Sequence, residues 1–273
     1  DIRLSQSNTL TAGAEIIYSD LSSHRERQAA DGYLGGLIGI PVNLAPLSVD
    51  ARMLNTGVFF QDSQRFFDDR LTLNAGARYE HRDQKALPTQ HSDLKESTNQ
   101  QDIFVYQASA LYRPKSWLSF RGNLGTGVLP PNPTQLFGTV RQTNGFAFIP
   151  NPGLDSERSF GWDIGASIAT STFLFDVSLY ENTIKDYMVG TVAGPGALQW
   201  QNAEKRVVRG IELRLSQNVA PFLGLEDFHL TPYLNGNYYL KDQSVDLEGN
   251  SAGHPYLNDY NLCIGLRGGR TGK

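Results

Sequence analysis

The most constraining feature of the chain is a strict alternation of apolar and polar residues in three consecutive segments between Arg158 and Leu215. The apolar positions of the first segment are Phe160, Trp162, Ile164, Ala166 and Ile168. The same alternation continues through residues 173–182 and 210–216. A period of two residues places neighbouring side chains on opposite faces of a β-sheet. These segments therefore predict strands whose two faces meet different surroundings.

The connections between the predicted strands are mostly short at one rim of the sheet and long at the opposite rim. We expect about ten strands, at residues 9–18, 54–65, 70–82, 102–113, 116–127, 158–169, 172–187, 198–216, 227–240 and 258–268. Short turns are expected at 67–69, 114–115, 170–171 and around Pro221, and long links at 19–53, 83–101, 128–157, 188–197 and 241–257. Outer-membrane barrels have this asymmetry, and their strands need about 9–11 residues to cross the apolar layer. The pattern predicts an all-β fold, an antiparallel transmembrane β-barrel with short periplasmic turns and long extracellular loops.

Composition excludes several other classes of protein. The chain has no run of eighteen apolar residues, so it lacks the signal of a transmembrane helix. Its 24 basic residues are scattered among 28 acidic ones, and this argues against a nucleic-acid partner. The five histidines and the single Cys263 show no metal-ligand spacing. We therefore expect no enzymatic centre, no bound metal and no cofactor.

The polar face of the predicted sheet carries charged side chains. In a wet barrel such groups point into the lumen and pair with one another. We expect salt bridges rather than acid and base catalysis from Asp163, Asp176 and Glu212, with Arg78, Arg121 and Arg214 as partners.

The link at 128–157 combines prolines, which restrict the backbone, with aromatic residues and an arginine. Six residues are candidates for ligand binding. Four lie in this link and two lie at the start of the predicted strand 198–216: Phe137, Arg141, Phe146, Phe148, Gln199 and Trp200. Two alternatives stay open. Aromatic residues of a long loop also pack its own small core, and tryptophan at a strand end also anchors a barrel at the membrane interface.

Five segments of the chain, in order, resemble the barrel of TonB-dependent outer-membrane receptors. They are QDSQRFFDDRLTLNAGARYEHR, LYRPKSWLSFRGNLGTGVLPPNPTQLFG, NPGLDSERSFGWDIGASI, FDVSLYENTIKDYMV and WQNAEKRVVRGIELRLS. The resemblance implies a receptor in the bacterial outer membrane, surrounded by outer-membrane lipid, that imports a scarce nutrient. The implied ligand is a ferric siderophore or a similar metal chelate, and the implied energy source is a TonB partner acting through a plug region.

The resemblance implies that the intact receptor is a closed barrel of about twenty-two strands around a plug. We therefore expect residues 1–273 to be a partial barrel domain, with the plug and the remaining C-terminal strands absent from it. Two other functions remain as alternatives. A passive, porin-like barrel would close from about ten strands by itself, and a soluble β-sandwich binding module would stay monodisperse in buffer without detergent.

Overall fold

A computed structural model of the chain describes residues 2–3, 7–22, 49–88, 96–139, 145–225, 227–245, 248–252 and 258–270. Its elements are β1 (Ile2–Arg3), β2 (Asn8–Leu21), β3 (Ala51–Phe66), β4 (Leu71–Ala86), β5 (Ser97–Lys115), β6 (Leu118–Leu129), α1 (Pro133–Phe137), β7 (Ala147–Ile149), β8 (Glu157–Ala169), β9 (Phe173–Gly194), β10 (Ala197–Gln217), a 3-10 helix (Ala220–Leu223), β11 (Phe228–Val245), β12 (Ser251–Ala252) and β13 (Tyr260–Arg270). No helix within the described ranges has the length and apolarity that a bilayer crossing needs.

The strands form one sheet in which neighbours in sequence are neighbours in space. The order runs from β1 through β6 to β8, β9, β10 and β11, and β13 pairs with the far side of β11. All these pairs are antiparallel, whereas the short β7 lies parallel to the start of β10. Among the described residues the first and last strands do not pair with each other, so the sheet is open. The predicted all-β fold, a partial barrel with ten long strands, is confirmed.

One face of the sheet is apolar and exposed along its whole width. The register places Ile164 opposite Leu179 and Leu179 opposite Ile211, so apolar side chains continue from strand to strand. Ile164 is 56% exposed although it lies in the middle of its strand. A soluble sheet buries such a face against a second layer. Here the face is uncovered among the described residues, as the lipid-facing surface of a barrel wall is.

Aromatic side chains border this apolar face at both rims. On the side of the long loops lie the exposed residues Tyr18, Tyr79, Phe104, Tyr106, Phe160, Tyr238 and Tyr260. On the side of the short turns lie the strand residues Phe66, Tyr112 and Phe228, and Trp117 and Phe222 are exposed in the turns themselves. Aromatic rings favour the membrane-water interface because one edge meets lipid and the other meets water. The two girdles therefore mark the two boundaries of the apolar band.

The opposite face of the sheet is polar, and rings there lie over glycines of neighbouring strands. Tyr180 is the register partner of Gly210, and a Cβ at Gly210 would come within 2.5 Å of the Tyr180 hydroxyl. The Tyr233 ring lies in the same way over Gly265, with the Arg267 guanidinium 4.7 Å from the ring centroid. Only glycine leaves room for such a ring against the backbone.

One predicted connection is wrong. The long link expected at 188–197 is instead the end of a hairpin, because β9 continues to Gly194 and β10 begins at Ala197. Only a two-residue turn separates the strands, with Gly196 at a φ of 67°. β9 has 22 residues, about twice the number needed to cross the apolar layer. The hairpin therefore projects beyond the long-loop rim. The links expected at 19–53 and 241–257 lie largely outside the described residues.

Candidate functional site

The link between β6 and β8 folds into an ordered loop at the long-loop rim. Its first element is α1, whose N-terminus is closed by Asn132. The Asn132 side chain accepts a hydrogen bond from the Gln135 backbone N–H at 3.0 Å, and the Gln135 side chain accepts one from Asn132 at 2.8 Å. This reciprocal cap satisfies backbone donors that a short helix would otherwise leave unpaired. Gly138 ends the helix at a φ of 77° and turns the chain toward β7.

The loop is tied to the polar face of the wall by side chains of the strands. Gln84 is fully buried and donates to the Pro131 carbonyl at 3.1 Å. Further along the loop, Asn99 donates to the Pro152 carbonyl at 3.0 Å. Gln199 donates to the Pro150 carbonyl at 3.1 Å. The first two contacts come from the polar face of β4 and β5, and the third comes from the start of β10, in the projecting hairpin.

A small apolar core lies beneath the loop. Its buried members are Val49, Ala86, Leu136, Phe137, Leu154 and Met188, and the partly buried Trp200 packs against them. Phe137 has no exposed surface, so in this arrangement it supports the loop from below. An ordered loop of this length needs such a core, because its backbone alone cannot offset the entropy of ordering.

Three aromatic rings form a continuous cluster on the upper part of this loop. The Phe146 and Phe148 rings meet edge to face with centroids 5.5 Å apart. Phe148 stacks on Trp200 with centroids 6.2 Å apart and an angle of 20° between the ring planes. The parallel pairing of β7 with β10 brings these rings together from distant parts of the sequence. Phe146 is 37% exposed and the other two rings are half-buried, so the cluster offers an apolar, polarisable surface to a ligand.

The six predicted ligand residues thus divide into three groups. Phe146, Phe148, Gln199 and Trp200 are gathered at one place. Phe137 lies in the loop core, as the packing alternative expects, and its part in ligand binding stays untested. Arg141 lies outside the described residues.

Residues that the ligand prediction omitted also shape the site. Asn151 donates to the backbone carbonyl of Trp200 at 2.8 Å, and Asn202 donates to the carbonyls of Asp155 and Asp186 at 3.0 and 2.7 Å. These amides hold the loop against the projecting hairpin. Their signal in the sequence was weak, because a single asparagine beside a turn is common in any loop.

Below the loop, the polar face carries paired charges. Arg121 donates to both carboxylate oxygens of Asp176, at 2.7 and 2.9 Å. Arg78 bridges Glu15 and Glu80 at 2.7 and 2.8 Å. The pairing predicted for Asp176 with Arg121 is confirmed. Asp163 instead accepts hydrogen bonds from Asn123 at 2.9 and 3.1 Å. Among the described residues no salt bridge joins Glu212 to Arg78, Arg121 or Arg214. Within the described ranges no group of three or more His, Cys, Asp or Glu side chains could hold a metal ion.

An open antiparallel wall with an apolar outer face, aromatic girdles and a polar inner face defines a piece of a membrane β-barrel. The chain belongs to the TonB dependent receptor-like β-barrel family, whose model matches residues 2–264. Barrels of this family lie in the bacterial outer membrane and serve transport, not catalysis. In such barrels the short turns face the periplasm and the long loops face outward. No curated protein sequence matches the chain.

Solved structures share the fold at low sequence identity. The FrpB iron transporter from Neisseria meningitidis (F5-1 variant) is 17% identical with a TM-score of 0.61, and the match covers 93% of this chain and 36% of FrpB. The hemophore receptor HasR of Serratia marcescens, in complex with its hemophore HasA and heme, is 18% identical with a TM-score of 0.59, covering 98% and 46%. The copper transporter OprC is 18% identical with a TM-score of 0.60, covering 79% and 32%. The chain therefore spans less than half the length of these proteins.

Proposed function

We propose that the chain is part of the barrel of a receptor that imports a ferric siderophore or a similar metal chelate. Uptake would be energised by TonB through a plug that the intact receptor supplies. The observation that carries the proposal is the cluster of Phe146, Phe148 and Trp200 on an ordered loop above the polar lumen. A passive pore needs no such ordered aromatic surface over its entrance.

The chemistry of the cluster suits a bulky organic metal chelate. Such a complex presents apolar or aromatic faces on its outside, and these gain free energy by covering exposed rings. Gln199 lies beside the stack and already donates to Pro150, so it fixes the edge of the site rather than the ligand itself. Arg141 stays a prediction from the sequence, as a cation for a negatively charged chelate.

The related folds support a metal-bearing cargo as the class. Those compared above are named as an iron transporter, a copper transporter and a receptor with hemophore and heme. These three proteins share one fold and carry different cargoes, which agrees with the general rule that the site, and not the fold, determines the ligand.

The test uses the intact receptor in outer membranes, with ferric catecholate, ferric hydroxamate and heme as probes. We expect Phe148→Ala and Trp200→Ala each to weaken binding of one probe about three- to tenfold, the effect of losing one stacked ring. Trp200→Phe keeps the apolar packing and should lose less. The matched controls are Phe222→Ala and Trp117→Ala, which remove the same ring types at the periplasmic rim and should leave binding unchanged.

Uptake separates this proposal from a passive pore. We expect uptake of the bound probe to stop when TonB is removed, while binding persists. Unchanged affinity of both cluster variants for all three probes would refute the ligand site. Diffusion of small solutes through the receptor without TonB would instead favour the porin-like alternative.

A further inference from the structure

A groove of about 620 Å³ lies in the lipid-facing surface, across the neighbouring strands β3, β4, β5, β6 and β8. Leu124 and Ile164 form one side of it. Its floor consists of small side chains that are neighbours in the register: Ala75, Ala108, Ala110 and Gly122. Small residues let two protein surfaces approach closely within a membrane. The groove therefore has the shape of a protein contact.

Two polar side chains form the opposite side of the groove. Asp62 lies opposite Ala75 in the register, and Gln64 shares its outward face two residues further along β3. Gln64 donates to the Asp62 carboxylate at 2.6 Å. Asp62 lies four residues from Phe66 in the periplasmic girdle, and Ala75 lies four residues from Tyr79 in the outer girdle. The pair is therefore in the middle of the apolar band, where polar side chains are rare and mark functional contacts.

We infer that this groove binds a second copy of the receptor across a two-fold axis parallel to the membrane normal. Both copies are inserted in the same direction, so a residue beside the axis meets its own counterpart at the same depth. A primary amide suits such a meeting, because it carries two N–H donors and one acceptor oxygen. Gln64 commits one N–H to Asp62, and its second N–H and its Oε1 form a reciprocal pair with the same amide of the second copy. Asp62 orients the amide.

The surface is large enough for a specific contact. The five strands span about 19 Å and the apolar band is about 25 Å tall, so each copy covers roughly 500 Å². Two copies together bury about 1,000 Å², the lower limit for a specific interface. The two-fold rotation also brings the β2 side of one wall, with Leu10 beside Asp62, against the groove of the other. The contact involves no uptake step, so it goes beyond the proposed function and stands without it.

The experiment measures association of the intact receptor in phospholipid vesicles. Each copy carries one fluorophore, and single-molecule photobleaching counts the copies in each particle as the receptor is diluted with lipid. We expect dimers that dissociate on dilution. Gln64→Leu removes both hydrogen bonds of the amide pair and should lower the association constant about tenfold. Ala108→Leu fills the groove and should lower the association constant at least as much.

Matched controls lie on the same face outside the groove. Thr183→Leu removes a lipid-facing polar side chain of β9, and Leu213→Phe enlarges a lipid-facing side chain of β10 by the same number of carbon atoms as Ala108→Leu. Both controls should associate as the unchanged receptor does. Gln64→Asn keeps a shorter amide and should lose less than Gln64→Leu. Every variant should keep chelate binding, which shows that it is folded and separates this result from the question of the cargo.

The proposal fails if the unchanged receptor is monomeric at every ratio of receptor to lipid. Dimers of Gln64→Leu as stable as those of the unchanged receptor would exclude the amide pair. Equal weakening by Leu213→Phe would show that the whole lipid-facing surface associates without a specific site. Dimers that form only with another membrane protein present would assign the groove to that protein instead.

Discussion

The substitution Phe137→Ala tests whether the ligand loop is held from below by its own core. Phe137 is fully buried against the small cluster that includes Leu136, Leu154 and Met188. Replacing a buried phenylalanine by alanine costs about 3–5 kcal/mol, from lost burial and the cavity left behind. This core touches only the loop and the ends of a few strands. The substitution therefore lowers the free energy of loop opening and leaves the stability of the whole barrel largely unchanged.

Hydrogen exchange measures that opening directly. The Gly138 amide donates to Thr134 at 2.9 Å and the Thr139 amide donates to Phe148 at 3.1 Å, so both report the closed loop. We expect their protection to fall by roughly two to three and a half powers of ten, up to the limit at which the loop is open. The amide of Ala169, which donates to Trp117 at 2.8 Å on the periplasmic rim, is the internal control and should not change.

A second variant distinguishes support of the loop by Phe137 from direct contact of Phe137 with the ligand. Phe137→Leu keeps an apolar side chain of similar volume and should cost less than about 1.5 kcal/mol. If Phe137 only supports the loop, this variant keeps both protection and chelate affinity. A loss of affinity with protection intact would mean that Phe137 touches the ligand. Unchanged exchange in Phe137→Ala would refute the reasoning, because a filled core cannot lose its largest ring without loosening.

Two further predictions concern the wall. Gly210→Ala should destabilise the barrel by about 1–3 kcal/mol in urea unfolding from lipid vesicles, because the new Cβ would lie 2.5 Å from the Tyr180 hydroxyl. Gly190→Ala is the control, because a Cβ at Gly190 has no neighbour within 4 Å. Ile164→Lys, in the middle of the lipid-facing band, should cost about 2–4 kcal/mol in the same assay, and Asn235→Lys on the lumen face should cost little. Equal costs for the two lysines would contradict the assignment of the faces.

The wall could be predicted from the sequence because each strand carries its own local signal. Residues that face lipid are apolar and residues that face water are polar, and the two alternate from one residue to the next along a strand. Ten strands could therefore be placed within a few residues. The signal fails where both faces meet water. Beyond Lys185 the hairpin leaves the membrane, the alternation of β9 fades, and Gly190 and Gly194 suggest a loop where the strand continues.

The candidate site was only partly predictable because its geometry depends on distant contacts. The sequence identifies aromatic residues in a long link, but it does not show which of them turn inward. The capping of α1 by Asn132 directs Phe137 into the core, and the pairing of β7 with β10 directs Phe148 onto Trp200. Each outcome requires two segments about fifty residues apart or a short helix that hydrophobic periodicity does not detect.

The same contacts explain how such a wall can serve different ligands. The loop is fastened to the strands mainly through its backbone carbonyls, those of Pro131, Pro150 and Pro152, which accept from side chains of the wall. A carbonyl is present whatever the side chain, so residues on the exposed side of the loop can change without loosening these ties. Phe146, the exposed ring of the aromatic cluster, is therefore the part of the site most free to vary. Exchanging the exposed ring of Phe146 should alter which chelate binds while leaving the amide protection of Thr139 intact, and loss of that protection would show that the ring also holds the loop.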